Sequence, residues 1–541
     1  MPVDSMGREL IELVQIDQDF CNNTYGVAPC TATTANPSTK CFNTYFTCQD
    51  QPNYDRGTKT ITLSKDVVHG APDDVYSIPS LGAFKVSLPE FNIGARDTRT
   101  KVLGKFGSCS ATFKDLPFSD NHLDPYVSER DYNPLENGTF WTKFLSRNPY
   151  YNDWKIRLYD GFVGQTIAQM NVREYRIDKI TNPNSSGSVT ITALDLMRKT
   201  DSDKALFPPA SDCKLYTEVL SGDESIRTIG RLTPYTNDTI LTKYLVISDT
   251  SRREIQTEVD NGDGTWTYTF FGGMQPYEVG ASVSNAVYIT SSSLTLTAAT
   301  AFQVVLLLLR QVFTLSEIDV TQIGGEFALR QGVESIYMQR FILKPTPVNE
   351  LLSDLAKDIL LGVYYDEESK LIKARLAGDE TLPVLTFDQF NNLIQGSTIP
   401  ALDSASRASD ILIHFNKSAS DLDNNAYLNT LLKVDPTASS ENEYNEAVTY
   451  EFNANWTQYL NRASKTATDL LTMYRSPTRL ISFQLDIKDN IDIAQVFKLA
   501  YRGFTDIYGQ PELINWICTG RTRSGDILQI TAQEFKFNVP V

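Results

Sequence analysis

The chain has 541 residues, too many for one core, and at about 150 residues per domain it predicts three or four domains. Its 49 Lys and Arg against 66 Asp and Glu leave a net charge of −17 and form no basic run. That excludes a specific nucleic-acid surface built on clustered cations. Only three histidines occur, His69, His122 and His414, none beside a Cys or Ser in a nucleophile motif, so most His-based catalysis and most mixed Cys/His zinc sites are excluded as well.

Met1 to Phe20 alternate acidic and apolar positions and lack the basic segment and apolar core of an export signal. The longest aliphatic run, Val304 to Leu309, is far short of the ~20 residues of a membrane-spanning helix. No transmembrane segment is expected.

Residues 1–55 carry Cys21, Cys30, Cys41 and Cys48, while Cys109, Cys213 and Cys518 are scattered singly. Leu10 to Ile16 reads as a strand leading into this module, and Gly26, Pro29 and Pro37 mark loops. Four clustered thiols with little room for a core predict a module held together by a bound metal or by cross-links. A four-thiolate iron–sulfur or metal site and a pair of disulfides both satisfy the pattern. The missing export signal tilts the choice away from disulfides.

Residues 56–200 read as β, with alternating segments at Thr58–Leu63, Tyr76–Ile78, Phe84–Leu88, Lys155–Tyr159, Val172–Ile177 and Val189–Leu194. A stretch rich in Asp, Asn, Pro and Tyr, about 116–150, reads as a long loop or insertion. In 201–310, Phe207-Pro208-Pro209 breaks the chain, and the acidic run Asp260 to Gly264 lies between two strand-like segments. It misses the calcium-loop spacing and is expected to be a hairpin loop. Ala298–Val312 is the first convincing helix. In 311–400, Val348, Leu351, Leu352, Leu355 and Ile359 form a helical stripe after Thr346-Pro347, with Gly362 as the expected stop, and a hairpin follows at 363–376. Residues 401–541 return to β. The fold class is mainly β with α+β inserts.

Two segments echo each other. Ser186-Gly187 leads into Val189-Thr190-Ile191-Thr192-Ala193, and Ser524-Gly525 into Leu528-Gln529-Ile530-Thr531-Ala532. The repeat predicts two related β domains, 56–200 and 401–541, separated by inserted ones. No P-loop, dinucleotide-binding, serine-hydrolase or zinc-protease motif occurs, and no catalytic activity is expected.

Ile156–Gly164, Tyr175–Ile180 and Val189–Ala193 resemble the closing strands of the first barrel in tail-tip hubs of long-tailed (siphovirus-type) bacteriophages and gene transfer agents. Asp201–Leu215 resembles the linker that follows it, and Phe341–Leu361 a later hub domain. Cys21-x8-Cys30 and Cys41-x6-Cys48 are similar in spacing to the [4Fe–4S] domain of lambda-type tail-tip proteins, although here they stand ahead of the hub.

The resemblance implies five parts: an iron–sulfur module (1–55), a first barrel (56–200), an inserted β-rich domain (201–310), an α+β domain (311–400) and a C-terminal barrel (401–541). It implies Cys21, Cys30, Cys41 and Cys48 as ligands of a [4Fe–4S] cluster, with zinc or two disulfides as the alternatives. It further implies a homotrimer that closes the tail tube in the virion, assembled in the host cytoplasm. Its partners would be the distal tail protein, the tape-measure protein and a central fibre or tip protein, and its acidic surface would let DNA pass without binding. The rival readings are a multidomain β enzyme or adhesin acting on surface carbohydrate and a disulfide-stapled secreted binding protein.

Overall fold

The computed structural model describes residues 10–539, apart from 66–71, 73–74, 88–89, 91, 93–102, 202–204, 212, 233–240, 248–250, 271–275, 280, 290–298, 332–336, 343, 368, 381–383, 418–426, 439–445 and 525–526. The chain is mainly β, as its alternating segments predict. His69 and Gly525 lie outside the described residues.

The first β domain uses β1 (Leu10–Cys21), β2 (Arg56–Ser64), β3 (Leu81–Ser87), β4 (Ser108–Lys114), β5 (Lys155–Phe162), β6 (Asn171–Ile180) and β7 (Ser188–Leu194). They pair in the order β2–β1–β5–β6–β7–β4–β3. The edges are joined by a short segment: Ile78 bridges to Leu63 of β2, and Ser80 accepts from the Lys114 amide at the end of β4. The sheet therefore curls around one core, which holds Ile16, Leu63, Phe113, Ile156, Tyr175, Val189 and Ile191. Along β7, Val189, Ile191 and Ala193 are buried while the threonines between them face outward.

Two expectations change here. The boundary at residue 55 does not separate module from barrel, because β1 pairs with both β2 and β5. The module is residues 22–55, an excursion between two paired strands. The supposed loop at 116–150 contains helix α1 (Phe140–Arg147), whose Phe140, Trp141 and Phe144 enter the barrel core. Aromatic residues three and four apart give α1 one apolar face, but the helix is too short to stand out from the polar sequence around it.

The inserted domain is a closed barrel of β8 (Cys213–Leu215), β9 (Ser225–Ile229), β10 (Leu241–Ile247), β11 (Ser251–Asp260), β12 (Thr265–Phe270) and β13 (Ser282–Ile289). The order β10–β11–β12–β9–β8–β13 closes through β13 and β10. The Asp260–Gly264 run is the expected hairpin loop, with the Asn261 amide donating to the Thr265 carbonyl at 3.1 Å.

The α+β domain packs α2 (Ala301–Arg310), α3 (Val320–Gln331) and α4 (Val348–Ile359) with the hairpin β14 (Leu361–Asp366) and β15 (Leu371–Leu376). Thr300 caps α2 through a reciprocal bond with Gln303. The α4 stripe is fully buried, as expected, but the helix stops earlier than Gly362. Leu360 takes the left-handed conformation (φ 54°), and Pro347 stands at the N-cap. Leu103, Leu196, Met197, Phe207 and Trp456 join this core, so it receives side chains from both β domains.

The C-terminal domain has β16 (Leu385–Asp388), β17 (Ile399–Asp403), β21 (Thr478–Asp486), β22 (Val496–Thr505), β23 (Pro511–Ser524) and β24 (Ile527–Glu534). An insertion between β17 and β21 supplies β18 (Asp410–Lys417), β19 (Tyr427–Val434), β20 (Thr449–Asn453) and helix α5 (Leu460–Tyr474), a helix the sequence reading missed. The order β16–β22–β23–β24–β21–β17 is drawn into a ring by Leu393, which bridges to Leu485 of β21.

The two β domains share a topology. In each, three consecutive strands form a meander and the strand that precedes them lies beside the third: β5–β6–β7–β4 and β22–β23–β24–β21. A further antiparallel strand, β3 or β17, flanks the preceding one. The bulges coincide as well. In β6 the register shifts between Ile177 and Lys179, opposite Ala193 and Thr192. In β23 it shifts between Cys518 and Gly520, opposite Ala532 and Thr531. The extra residue thus falls at the same Thr-Ala step of the sequence echo in both domains. Ile191, Ala193, Ile530 and Ala532 are all fully buried. A bulge at a matched position bends both sheets alike. The duplication read from the echo is therefore present in pairing order and in register.

Candidate functional site: a four-thiol module on the first barrel

The chain leaves β1 at Cys21 and rejoins the sheet at Arg56, its register partner. Between them it forms turns and two short 3-10 segments, Pro37–Thr39 and Gln51–Asn53. The Asp50 carboxylate ties Thr31 through its amide (2.7 Å) and hydroxyl (2.9 Å). Asn43, in the left-handed region at φ 55°, ties the entry strand: the Cys21 amide donates to its carbonyl at 2.7 Å, and its side-chain amide returns to the Cys21 carbonyl at 3.1 Å.

The apolar interior of the module is Tyr25, Ala32 and Cys41, with Cys30 beside them and Tyr126 contributed by the 116–150 segment. So small a cluster buries too little apolar surface to fix a fold. The four expected residues are brought into one neighbourhood. Burial raises the Cys41 thiol, and Cys48, Cys30 and Cys21 raise it further by repulsion of its thiolate. Burial raises Cys48 too, with Cys21 and Cys30 adding to it. Opposing this, backbone amides two residues downstream donate to sulfur: Asn43 to Cys41, and Asp50 to Cys48 at 3.4 Å. Amides aimed at sulfur favour the thiolate form.

No two of the seven cysteines are joined by a disulfide in this structure. Four thiols without an intervening histidine or carboxylate are the donor set of an iron–sulfur cluster or a four-thiolate metal, so the residue types fit the group. No three His, Cys, Asp or Glu side chains among the described residues form a ready cage for one metal ion. Cys109, Cys213 and Cys518 are buried in other cores. His122 stacks on Tyr76 and His414 bonds Thr430 and Glu451, so neither joins the thiols.

The seat of the module escaped the sequence reading. It is the 116–150 segment, where buried Asp120 pairs with Lys143 at 2.8 Å and Arg147 at 2.7 Å, and buried Asp124 pairs with Arg130. The Tyr126 hydroxyl accepts from the Tyr25 amide at 2.7 Å, and the Thr44 hydroxyl donates to the Arg147 carbonyl at 2.8 Å. Phe42 lies between the Arg130 and Arg147 guanidiniums, 4.0 and 4.1 Å from its ring centroid. The available signal was the unusual run of Asp and Arg within an aromatic-rich loop.

The strongly perturbed carboxyls lie elsewhere. Burial pushes Asp195 and Asp358 up to about 7 each, and also raises Glu367. Asp195 accepts backbone amides from Gly107 and Met197, and Asp358 from Trp456 and Thr457. They are spent on joints between segments. No helix among the described residues is long and apolar enough to cross a membrane.

No protein-family model matches the sequence, and no curated protein does. Solved structures are similar at low identity. A tail protein from Neisseria meningitidis MC58 aligns over 85% of this chain and 100% of its own, at 10% identity and a TM-score of 0.38. The 43 kDa tail protein of prophage MuSo2 from Shewanella oneidensis aligns over 84% and 97%, at 9% identity and a TM-score of 0.37. A chain of the phage P2 baseplate in its activated conformation aligns over 97% and 99%, at 9% identity and a TM-score of 0.26. At this level of likeness no residue role passes from them to this chain.

Proposed function

We propose that the chain is a structural hub of a bacteriophage tail tip, located in the virion and not an enzyme, with Cys21, Cys30, Cys41 and Cys48 holding a [4Fe–4S] cluster. The observation that carries the reading is the duplicated β domain with its matched bulge. Two equivalent domains in one chain let three chains present six similar units to a sixfold tube, a fit that a single domain per chain would not give to a trimer. The tail tube is the proposed neighbour on one side and a central fibre or tip protein on the other, with the distal tail and tape-measure proteins as further partners.

When bound, the cluster would cross-link four points of a loop that has almost no core of its own. The excess of 66 acids over 49 basic residues suits a channel through which DNA passes without adhering.

Sedimentation of the full chain, with class averages by electron microscopy, tests the assembly: a ring of three chains with six similar lobes is expected, and a persistent monomer at micromolar concentration argues against it. Iron, sulfide and zinc analysis of anaerobically purified protein tests the cofactor. Zinc, or two disulfides without metal, would replace the cluster. The rival carbohydrate-enzyme reading is checked by glycan turnover.

A further inference from the structure

Arg130 makes five contacts with one guanidinium. Its Nε and Nη2 hold the two Asp124 oxygens at 2.7 and 3.0 Å. Nη1 donates to the carbonyls of Ser38 and Lys40, both at 2.7 Å, and Nη2 to the carbonyl of Cys41 at 3.1 Å. Both side chains are essentially out of solvent, 1% and 0% exposed. The fork therefore spans two parts of the chain about 90 residues apart: a carboxylate fixed in the barrel's insertion, and the backbone that presents the third thiol. The same arginine lies against Phe42, the residue after that thiol. Asn43 then continues the chain of contacts back to Cys21.

Only an arginine serves all these acceptors, because its planar donors point in several fixed directions at once. Asp124 is itself set by the insertion: its amide donates to the Asp120 carbonyl at 2.9 Å, and its carboxylate accepts the Tyr126 amide at 3.0 Å.

We propose that the Asp124–Arg130 pair is a latch that positions Cys41 toward the other three thiols, so that retention of the cluster depends on the folded 116–150 platform of the first barrel. Arg130 is a positioning residue, acting on the ligand through its backbone. This rests on the reading of the four thiols as cluster ligands. The coupling runs both ways: a bound cluster holds residues 38–43 in place and so keeps the latch occupied.

The test uses the anaerobically purified full chain, with Arg130→Lys and the double variant Asp124→Asn/Arg130→Gln. Excess ferrous-iron chelator is added, and decay of the visible absorption is followed with far-ultraviolet circular dichroism alongside. Lysine keeps the charge but cannot bridge three carbonyls and a carboxylate. Both variants are expected to release iron about tenfold to 100-fold faster than the parent. Equal release rates in folded proteins would overturn the latch. Should the variants not fold, hydrogen exchange on the unaltered chain decides: removing iron should expose the amides of 38–43 and 124–130 together, and loss of protection at 38–43 alone would overturn the proposal. A parent protein lacking iron and sulfide sinks the cluster reading, and the latch with it, before any variant is compared.

Discussion

The Tyr175 hydroxyl donates to the Glu367 carboxylate at 2.5 Å, both groups being buried. Tyr175 belongs to β6 of the first barrel and Glu367 to the turn between β14 and β15, so this bond joins two domains. Arg173, two residues before Tyr175 on the same strand, faces the same acid and binds Asp160 at 2.6 Å. Burial, the largest effect, raises the Glu367 carboxyl, while Arg521 of β23 also lowers it. Both barrels and the α+β domain thus meet around one carboxylate.

Tyr175→Phe should cost about 1–3 kcal/mol, because it leaves a buried acceptor without this donor. Glu367→Gln, which keeps an acceptor and removes the charge, should cost less. Urea unfolding of the two variants measures the difference, and a Tyr175→Phe midpoint equal to the parent's would show that this bond adds nothing to the joint.

Stability should fall as pH rises from about 4 to about 7. Asp195 and Asp358 titrate near 7 in the folded chain, because burial outweighs the amides that donate to them. Unfolded, each returns to the usual carboxylate range near 4. Between those values the folded chain binds more protons than the unfolded one, so raising the pH favours unfolding. The shift is worth of order 4 kcal/mol for Asp358, and Asp358→Asn should flatten the curve between about pH 4 and 7. Urea midpoints for parent and variant that run parallel across this range would contradict the assignment.

The seven cysteines should divide by environment. Cys21→Ser and Cys48→Ser are expected to abolish the iron-dependent absorption. Cys109→Ser and Cys518→Ser should keep it but lose about 1–3 kcal/mol, since each would bury a hydroxyl in a barrel core. Burial pushes both of these thiols up to about 12. In folded, iron-free protein at pH 8, iodoacetamide should therefore modify Cys30 and Cys48, the partly exposed thiols of the module, and spare Cys109 and Cys518. Alkylation of Cys518 at the module's rate would refute the closed barrel core.

Ile191→Ala and Ile530→Ala test the duplication. Each isoleucine is fully buried at the matched position of its barrel, and each truncation should cost about 2–5 kcal/mol. Hydrogen exchange should show the first variant loosening β4–β7 and the second β21–β24. A variant that loosens both sets of strands equally would mean that the two cores do not behave as separate repeats.

Local patterns in the sequence determined a good deal of this protein. Alternation at Lys155–Tyr159 and Val189–Leu194 placed the strands, because side chains two apart share one face of a sheet. The Val348–Ile359 stripe placed α4, since residues three and four apart share one face of a helix. The four clustered cysteines marked the module, and the Ile-Thr-Ala echo marked the repeat. What only the tertiary structure decided depends on partners far apart in the chain. β1 looked like a lead-in to the module because nothing local shows that Leu13 stands opposite both Ser64 and Tyr159. The stop of α4 fell at Leu360 because packing against the core, and no glycine, holds it in the left-handed region. Arg130 reads as one charged residue in a polar loop; its role arises where the fold brings the carbonyls of Ser38, Lys40 and Cys41 to a guanidinium already fixed by Asp124. Strand and helix periods are set by the geometry of neighbouring peptide units and can be read from the order of residues. Which strand pairs with which, and which buried charge meets which carbonyl, is settled only when the whole chain closes around its cores.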